Sequence, residues 1–376
     1  MRKVAIKENI LRWAVNRAGL TPDALQQKFP KIQQWITGED HPTIRQLESL
    51  AKATLTPLGF FFLAEPPEER MPIPHFRTLD GRTAIRPSPN LLETVQMMQR
   101  RQAWMRDFLK DQGQEPLPFV RSARSNDLPA SVADRIRHAL NFDESWAVKE
   151  TTWTDALRTL RETMEDTGIL VVVNGIVGNN TRRKLNPEEF RGFVLVDEYA
   201  PLVFVNGADG RAAQMFTLAH ELAHVFLGSS AAFDLREMRP ADDPMEQACN
   251  RVAAEFLVPE RKLRPIWSSI QNDLAPFQTV ARQFKVSEIV VARRALDLGL
   301  IQRETFLDFL DKQQRTSARG PEGGDFYNNQ NLRIGRRFAS AVAQAAKEGI
   351  LLYSEAYHLT GLCGKTFDHY VTHLEI

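Results

Sequence analysis

The 376-residue sequence predicts a mainly helical chain with a small β-sheet, an α+β fold. Apolar residues recur at helical spacing up to about residue 168, the period changes to that of strands near residue 169, and helical spacing returns after residue 260. "GILVVVNG" is typical of a short buried strand. "GFVLVDEYAPLVFVNG" contains two apolar runs joined by a polar turn, which predicts a hairpin.

Length and composition limit the classes of protein to consider. A hydrophobic fraction of 43% is enough for ordinary cores, and the length exceeds that of one usual domain. No window is apolar enough for a membrane span, and the charged start does not have a signal-peptide core. Cys249 and Cys363 are the two cysteines and lie far apart, so we expect no disulfide framework and a cytoplasmic protein. A net charge of +1 leaves the partners undecided.

Residues 1–64 predict several short helices with a basic bias. "ENILRWAVNRAGL" places Ile10, Leu11 and Ala14 on one helical face. Thr21 is expected to cap the helix of "TPDALQQKF", and Thr43 that of "IRQLESLAKAT". Nine Lys and Arg residues against five Asp and Glu residues give this segment a charge of +4. Such a charge permits contact with double-stranded DNA but does not require it. The proline-rich "AEPPEERMPIPHFR" then predicts a domain boundary.

"TLAHELAHVFLG", residues 217–228, carries two histidines four positions apart. On a helix, His220 and His224 share a face and can bind one tetrahedral zinc ion, while Glu221 can reach a water on that ion as a general base. The alternative is an amphipathic helix that carries these residues without a metal. However, the helix is apolar nearly all round, which predicts burial, and buried polar side chains are costly unless something pairs with them.

A third ligand is expected in "MEQACNRVAAEFLVP", where Glu246 and Asn250 stand one helical turn apart. The pair is similar to that of zinc peptidases whose third ligand is a glutamate. Glu246 would bind the metal, and Asn250 would hydrogen-bond a ligand from outside. The alternative is a surface glutamate beside an ordinary polar residue. Cys249 could ligate through sulfur, but its apolar neighbours favour a core thiol.

"FTLAHELAHVFLG" followed by "EQACNRVAAEFLVP", and preceded by "PLVFVN", resembles the ImmA/IrrE metallopeptidase domain. "ILRWAVNRAGL", "WITGEDHPTIRQLESLAKATLTPLGFFFLAEPPEE" and "IPHFRT" resemble the Xre/Cro-type helix-turn-helix module that often precedes it. The segment from "GGDFYNN" to "LTGL" is similar to the tail of such fusions. The resemblance implies a zincin-like core and a cytoplasmic zinc peptidase that cleaves a repressor or acts in phage, mobile-element or toxin–antitoxin control. It implies no particular substrate.

One departure from that pattern concerns DNA recognition. Pro30 in "QQKFPKIQQW" leaves only a short recognition helix, with Lys31, Gln33 and Gln34 as the expected DNA contacts. The module could instead dock onto a partner protein. A second helix-turn-helix-like stretch, "FQTVARQFKVSEIVVARRALDLGLI", includes Arg293 and Arg294, and we favour a packing role for it over DNA contact.

The predicted division of the chain follows from these patterns and the resemblance. It comprises a helix-turn-helix module (1–64), a linker (65–87), a zincin-like metallopeptidase core (88–260), a helical helix-turn-helix-like unit (261–312), a flexible linker (313–325) and a small helical unit (326–376).

We therefore expect a regulatory zinc endopeptidase that acts on a partner protein. We expect "PLVFVN" to be an edge strand that holds an extended substrate by strand addition. Tyr199, Tyr353 and His358 are candidate oxyanion donors by residue type alone, and a structural role is favoured for each. Two alternatives remain: a DNA-binding regulator or antitoxin that uses the peptidase fold as a scaffold, and a zinc-stabilised sensor without turnover. The cleaved partner, the activating signal and the oligomeric state are not predicted.

Overall fold

The computed structural model describes residues 3–19, 22–69, 87–228, 231–233, 243–314 and 326–374. These residues form two compact units, one within Met1–Pro72 and Ala84–Val95 and the other within Ile73–Thr83 and Gln96–Ile376. Residues 70–86 and 315–325 of the expected linkers lie outside the described part of the chain. The division into domains stays a prediction.

The first unit is helical. Its helices are α1 (Glu8–Ala18), α2 (Pro22–Lys28), α3 (Ile32–Thr37) and α4 (Ile44–Ala53), followed by a 3₁₀ helix (Leu58–Phe62). The predicted apolar face of α1 is buried at Ile10, Leu11 and Ala14. Thr43 caps α4 as predicted, since its hydroxyl accepts from the Gln46 amide at 3.4 Å and its own amide donates to the Gln46 side chain at 2.8 Å. The expected cap at Thr21 lies outside the described residues.

The long predicted helix is α5 (Pro89–Asp111), which has residues in both units. Ser88 caps it, because its hydroxyl accepts from the amide of Leu91 at 3.1 Å.

The second unit combines the remaining helices with the strands. Its helices are α6 (Pro129–Ala139), a 3₁₀ helix (Trp146–Lys149), α7 (Trp153–Thr167), α8 (Arg211–Leu227), α9 (Pro244–Leu257), α10 (Glu260–Ile270), α11 (Pro276–Phe284), α12 (Glu288–Asp297), α13 (Arg303–Gln314), α14 (Phe326–Ile334), α15 (Arg336–Lys347), α16 (Tyr353–Thr360) and α17 (Lys365–His373). Its strands are β1 (Leu170–Asn174), β2 (Ile176–Val177), β3 (Asn180–Lys184), β4 (Gly192–Leu195), β5 (Leu202–Asn206) and β6 (Ala231–Phe233). The chain is thus mainly α with a small mixed sheet, as predicted.

The four-stranded sheet has the order β1-β5-β4-β6, with β1 and β5 parallel and the other neighbours antiparallel. The predicted hairpin is β4–β5, which pairs Leu195 with Leu202. The expectation that "PLVFVN" is an edge strand is wrong. β5 lies inside the sheet, and every one of its residues is buried, as a central strand covered on both faces requires. The sequence analysis did not predict β6 or the small β2–β3 sheet.

The core of the second unit forms where α8 packs on the sheet. One side of α8 contacts β4 and β5, and another contacts α9. The two helices share an apolar core with α6 and α7. Among the described helices, none combines the length and apolar character that crossing a membrane requires.

The second helix-turn-helix-like stretch forms α11 and α12, and its structure supports the packing role. Ala281, Phe284 and Val286 are buried. The buried guanidinium of Arg294 is paired with the carboxylate of Glu255 on α9, so it is not available to a DNA phosphate.

Buried polar side chains attach the carboxy-terminal helices to the rest of the second unit. The guanidinium of Arg101 on α5 donates to the carbonyl oxygens of Leu359 at 2.9 Å and Arg333 at 3.0 Å. The Glu165 carboxylate, at the end of α7, accepts from the amide of Arg337 at 3.2 Å. Because burial penalises its charge, the pKa of Glu165 is raised to about 7.

Candidate metal centre

Helix α8 places the two histidines of the HExxH sequence inside the protein. Every residue from Gln214 to Leu227 is buried, and the helix ends at Gly228, whose φ of 80° suits a left-handed glycine cap. His220 and His224 are fully buried, and their Nε2 atoms are 3.1 Å apart. The predicted shared helical face is therefore present.

Helix α9 brings a carboxylate to both histidines. It begins after Asp243, whose side chain accepts from the amide of Met245 at 2.7 Å. Glu246 follows in the first turn. One of its oxygens lies 3.1 Å from Nε2 of His220, and the other lies 3.2 Å from Nε2 of His224. Donor atoms of three residues thus converge from two helices.

The spacing of these donors fits a divalent metal ion. In a tetrahedral zinc site with bonds of about 2.0–2.1 Å, neighbouring ligand atoms are about 3.3 Å apart. The two Nε2 atoms are 3.1 Å apart, and they lie 3.1 and 3.2 Å from the two different oxygens of Glu246. Two imidazole nitrogens and a carboxylate are also a donor set that zinc accepts. The residues present therefore fit the metal that the sequence suggested.

Asn250 orients one of these donors. Its side-chain oxygen lies 3.1 Å from Nδ1 of His220. Because the amide oxygen can only accept, Nδ1 of His220 carries the proton, and Nε2 keeps its lone pair toward His224 and Glu246. This is the position expected for Asn250 from its one-turn spacing behind Glu246.

The protonation states around this cluster also suit a cation. Burial lowers the pKa of His220, which keeps the imidazole neutral. Burial opposes ionisation of Glu246, but the adjacent His220 and His224 side chains outweigh it and hold the pKa of that carboxyl well below its usual range. A neutral imidazole beside an ionised carboxylate is the form that binds metals.

Glu221 lies beside the cluster with no partner of its own. It is fully buried, and within the described part of the chain neither carboxylate oxygen has a hydrogen-bond partner. Burial, followed by the charge of Glu246, raises the pKa of Glu221 well above its usual value. A carboxyl left in this state indicates a functional role, because packing alone does not repay its desolvation.

Gly192 on β4 makes room for the Glu221 side chain. A Cβ atom at residue 192 would lie 2.6 Å from the Thr217 side chain and 3.0 Å from Oε1 of Glu221. The same Cβ atom would lie 2.9 Å from the carbonyl oxygen of Phe204, so a larger residue would crowd Thr217, the neighbouring strand and the carboxylate together. The sequence analysis missed this glycine, because only the packing of α8 on the sheet brings the two residues together.

Cys249 is buried as predicted, and its sulfur lies near the histidines. A ligand atom of His220, one of His224 and the Cys249 sulfur all lie within 4.8 Å of one another. The thiol is fully buried within the apolar core, as its neighbours predicted, so it is both a core residue and a neighbour of the metal cluster. Burial raises its pKa, as do the charges of Glu246 and Glu221.

The expected DNA contacts are on α3 in the first unit. Lys31, Gln33 and Gln34 are exposed, as predicted. The Lys31 ammonium is 3.0 Å from the carboxylate of Asp40, which also binds Lys3. Part of the positive charge on this surface is therefore neutralised within the module.

The candidate oxyanion donors have structural contacts. Lys110 lies 4.8 Å from the ring centroid of Tyr199, and Tyr353 packs against Tyr357 and Phe367. His358 lies on α16 at the edge of a cavity that Trp104 also lines.

Comparison with known proteins bears on two segments. Residues 334–373 match a domain of unknown function, DUF8813. No curated protein matches the chain. Residues 164–296, which contain α8 and α9, match the family described as the IrrE N-terminal-like domain, Peptidase_M78. Neither match covers the amino-terminal module. The second match supports the resemblance to the ImmA/IrrE family for the part of the chain that carries the HExxH sequence.

Proposed function

We propose that this chain is a cytoplasmic, regulatory zinc endopeptidase that cleaves a specific partner protein of the repressor or toxin–antitoxin type. The observation that carries the proposal is the convergence of His220, His224 and Glu246 at ligand spacing, with the unpartnered carboxylate of Glu221 beside them. The M78 match supports a metallopeptidase of this kind.

Each residue of the cluster has a defined task in this reaction. His220, His224 and Glu246 hold the ion, and Asn250 fixes the ring of His220 through Nδ1. When bound, zinc polarises a water molecule and the scissile carbonyl. Glu221 accepts a proton from the attacking water and donates it to the leaving nitrogen of the peptide bond.

The sheet offers a place for an extended substrate other than the one predicted. β5 is internal, whereas β6 is an outer strand that pairs with β4 on one side. Backbone groups of an extended partner segment can pair along an outer strand, and side-chain pockets then select the sequence. We assign substrate strand addition to β6.

The test is Glu221→Gln, which keeps the size of the side chain and removes the base. Metal content and folding are expected to stay unchanged, while cleavage falls by about 10²- to 10⁴-fold. The assay mixes the purified chain with proteins encoded beside its gene and follows their fragments by mass spectrometry. Glu162→Gln, at a partly exposed position on α7, is the matched control and should cleave normally.

Complete burial of Glu221 favours a second candidate function. A DNA-binding regulator, an antitoxin or a metal-stabilised sensor could use the same fold as a binding scaffold and would not need an accessible base. Such a protein should regulate normally in cells as the Glu221→Gln variant. A wild-type chain that binds its partner and metal but cuts nothing would replace the peptidase proposal with this one.

A further inference from the structure

Cys249 lies one helical turn after Glu246, which contacts both histidines, and directly before Asn250 on α9. Glu246 is three positions before it and Asn250 is one position after it, and both touch His220. Positions three or four apart on a helix share a face. The thiol therefore points toward α8 from between two groups that already belong to the cluster, and it is fully buried there.

The distance to the histidines is close to that of a ligand. With a zinc–sulfur bond of about 2.3 Å and zinc–nitrogen bonds of about 2.0–2.1 Å, sulfur and nitrogen in one tetrahedron are about 3.6 Å apart. The sulfur and the ligand atoms of His220 and His224 all lie within 4.8 Å of one another. The difference is at most about 1.2 Å, which a rotation of the thiol or a small shift of α9 can supply.

Two further features of the cluster indicate a closed state. His220, Glu221 and His224 are all fully buried, and of the three expected ligands only Glu246 is partly exposed. Nδ1 of His224 and both oxygens of Glu221 have no hydrogen-bond partner within the described residues, so polar atoms other than the three expected donors lie uncompensated beside the cluster. A metal with three protein ligands keeps one position open for chemistry, whereas a fourth protein ligand fills it.

We propose that Cys249 is a fourth protein ligand that closes the metal site in a resting state, and that a partner activates the peptidase by displacing the sulfur. This inference rests on the proposed function and adds regulation to it. On coordination the thiol loses its proton to solvent, and a zinc–sulfur bond forms in place of the bond to water. On activation the thiol regains a proton and water returns. No oxidant or reductant takes part.

Cobalt is a direct probe of this bond, because a thiolate bound to Co²⁺ gives a charge-transfer band in the near ultraviolet. The metal-free full-length chain is loaded with Co²⁺ as wild type, Cys249→Ala, Cys249→Ser and Cys363→Ala. The chain contains only two cysteines, and Cys363 is exposed on the carboxy-terminal helical part. Wild type and Cys363→Ala are expected to show the band, and both Cys249 variants are expected to bind Co²⁺ without it.

A second measurement does not depend on the folding of the Cys249 variants. X-ray absorption of the zinc-loaded Cys363→Ala protein, whose only thiol is Cys249, should show one sulfur at about 2.3 Å. In the cleavage assay, Cys249→Ala should cut the partner faster than wild type, since the resting state is lost.

The outcomes separate this inference from the proposed function. Identical cobalt spectra of wild type and Cys249→Ala, or a zinc shell without sulfur, would overturn the fourth-ligand proposal and leave the peptidase intact. A wild-type chain that takes up neither Zn²⁺ nor Co²⁺ would overturn both.

Discussion

The polar side chains expected to have a function are exposed in one unit of the molecule and buried in the other. In the first unit, the polar residues expected to act, Lys31, Gln33 and Gln34, are exposed to solvent, and the core beneath them is apolar. In the second unit, His220 and Glu221 are buried in the middle of the apolar core. An exposed polar residue needs no special explanation, whereas a buried one is costly unless it has a partner. The burial of polar groups therefore carries the functional information.

The largest expected effect is on metal content. The double substitution His220→Ala and His224→Ala removes two of the three residues whose donor atoms lie 3.1–3.2 Å from one another. The purified protein should therefore contain no stoichiometric metal. Wild type should contain one zinc ion per chain by elemental analysis. His138→Ala with His358→Ala, two exposed histidines, is the control. Equal metal content in all three proteins would end the metal-centre interpretation.

Glu165 tests whether burial of a carboxyl always implies chemistry. Its folded pKa of about 7 lies above the usual 4.5, so its stabilising contribution is complete below pH 4.5 and is lost as the pH rises through 7. At about 1.4 kcal/mol per pH unit, the loss approaches about 3 kcal/mol. Glu165→Gln should remove this pH dependence.

Denaturant unfolding between pH 4.5 and 8 measures the effect on the free energy of unfolding. Glu162→Gln, on the same helix but partly exposed, should retain the wild-type slope. Equal slopes for wild type and Glu165→Gln would show that Glu165 does not titrate in this range. A pH dependence that is lost in Glu165→Gln would mean that a buried carboxyl can have a purely structural role. Glu165 contacts the amide of Arg337 and so helps to attach the carboxy-terminal helices.

Asn250 should have a smaller effect, on metal affinity. Asn250→Ala removes the acceptor for Nδ1 of His220 but none of the three expected ligands, so zinc should bind about 10- to 100-fold more weakly. Competition with a chelator of known affinity measures this change. Asn250→Asp keeps an acceptor and should restore binding, and exposed Arg251→Ala should leave it unchanged. A full-strength site in Asn250→Ala would show that the contact does not orient the ring.

Sequence patterns predicted the parts of this site that depend on one helix. The i, i+4 spacing placed His220 and His224 together, and the one-turn spacing of Glu246 and Asn250 placed both on the α9 face that meets α8. The patterns could not show what depends on two distant segments. Gly192 makes room for Glu221 only because β4 packs under α8.

The order of the strands was equally beyond the sequence. "PLVFVN" was recognised as a strand, but long-range pairing decides which strands lie on either side of it. The one available sign of a central position was the unbroken apolar run in β5, whose residues are all buried. Cys249 was correctly placed in the core. Its proximity to the histidines could not be predicted, because apolar neighbours in the sequence do not show which helix packs against α9.

The smallest expected effect concerns the exposed surface of the first unit. If α3 contacts DNA, the net charge of +4 on residues 1–64 can neutralise only a few phosphates. Lys31 is already paired with the carboxylate of Asp40. The affinity of the full chain for duplex DNA should therefore weaken only gradually as salt is added. The logarithm of the binding constant should fall with the logarithm of the salt concentration with a slope of about 0.9 per phosphate contacted. Replacing Lys31, Gln33 and Gln34 with alanine should lower the affinity by a few-fold at most, since it removes about one phosphate contact. Fluorescence anisotropy over a salt series measures both quantities, with exposed Lys52→Ala on α4 as the control.

A steep slope, or a loss of sequence-specific nanomolar binding in the triple variant, would show that exposed polar residues of the first unit carry as much function as the buried ones of the second. No measurable binding would instead favour a partner protein as the ligand of α3.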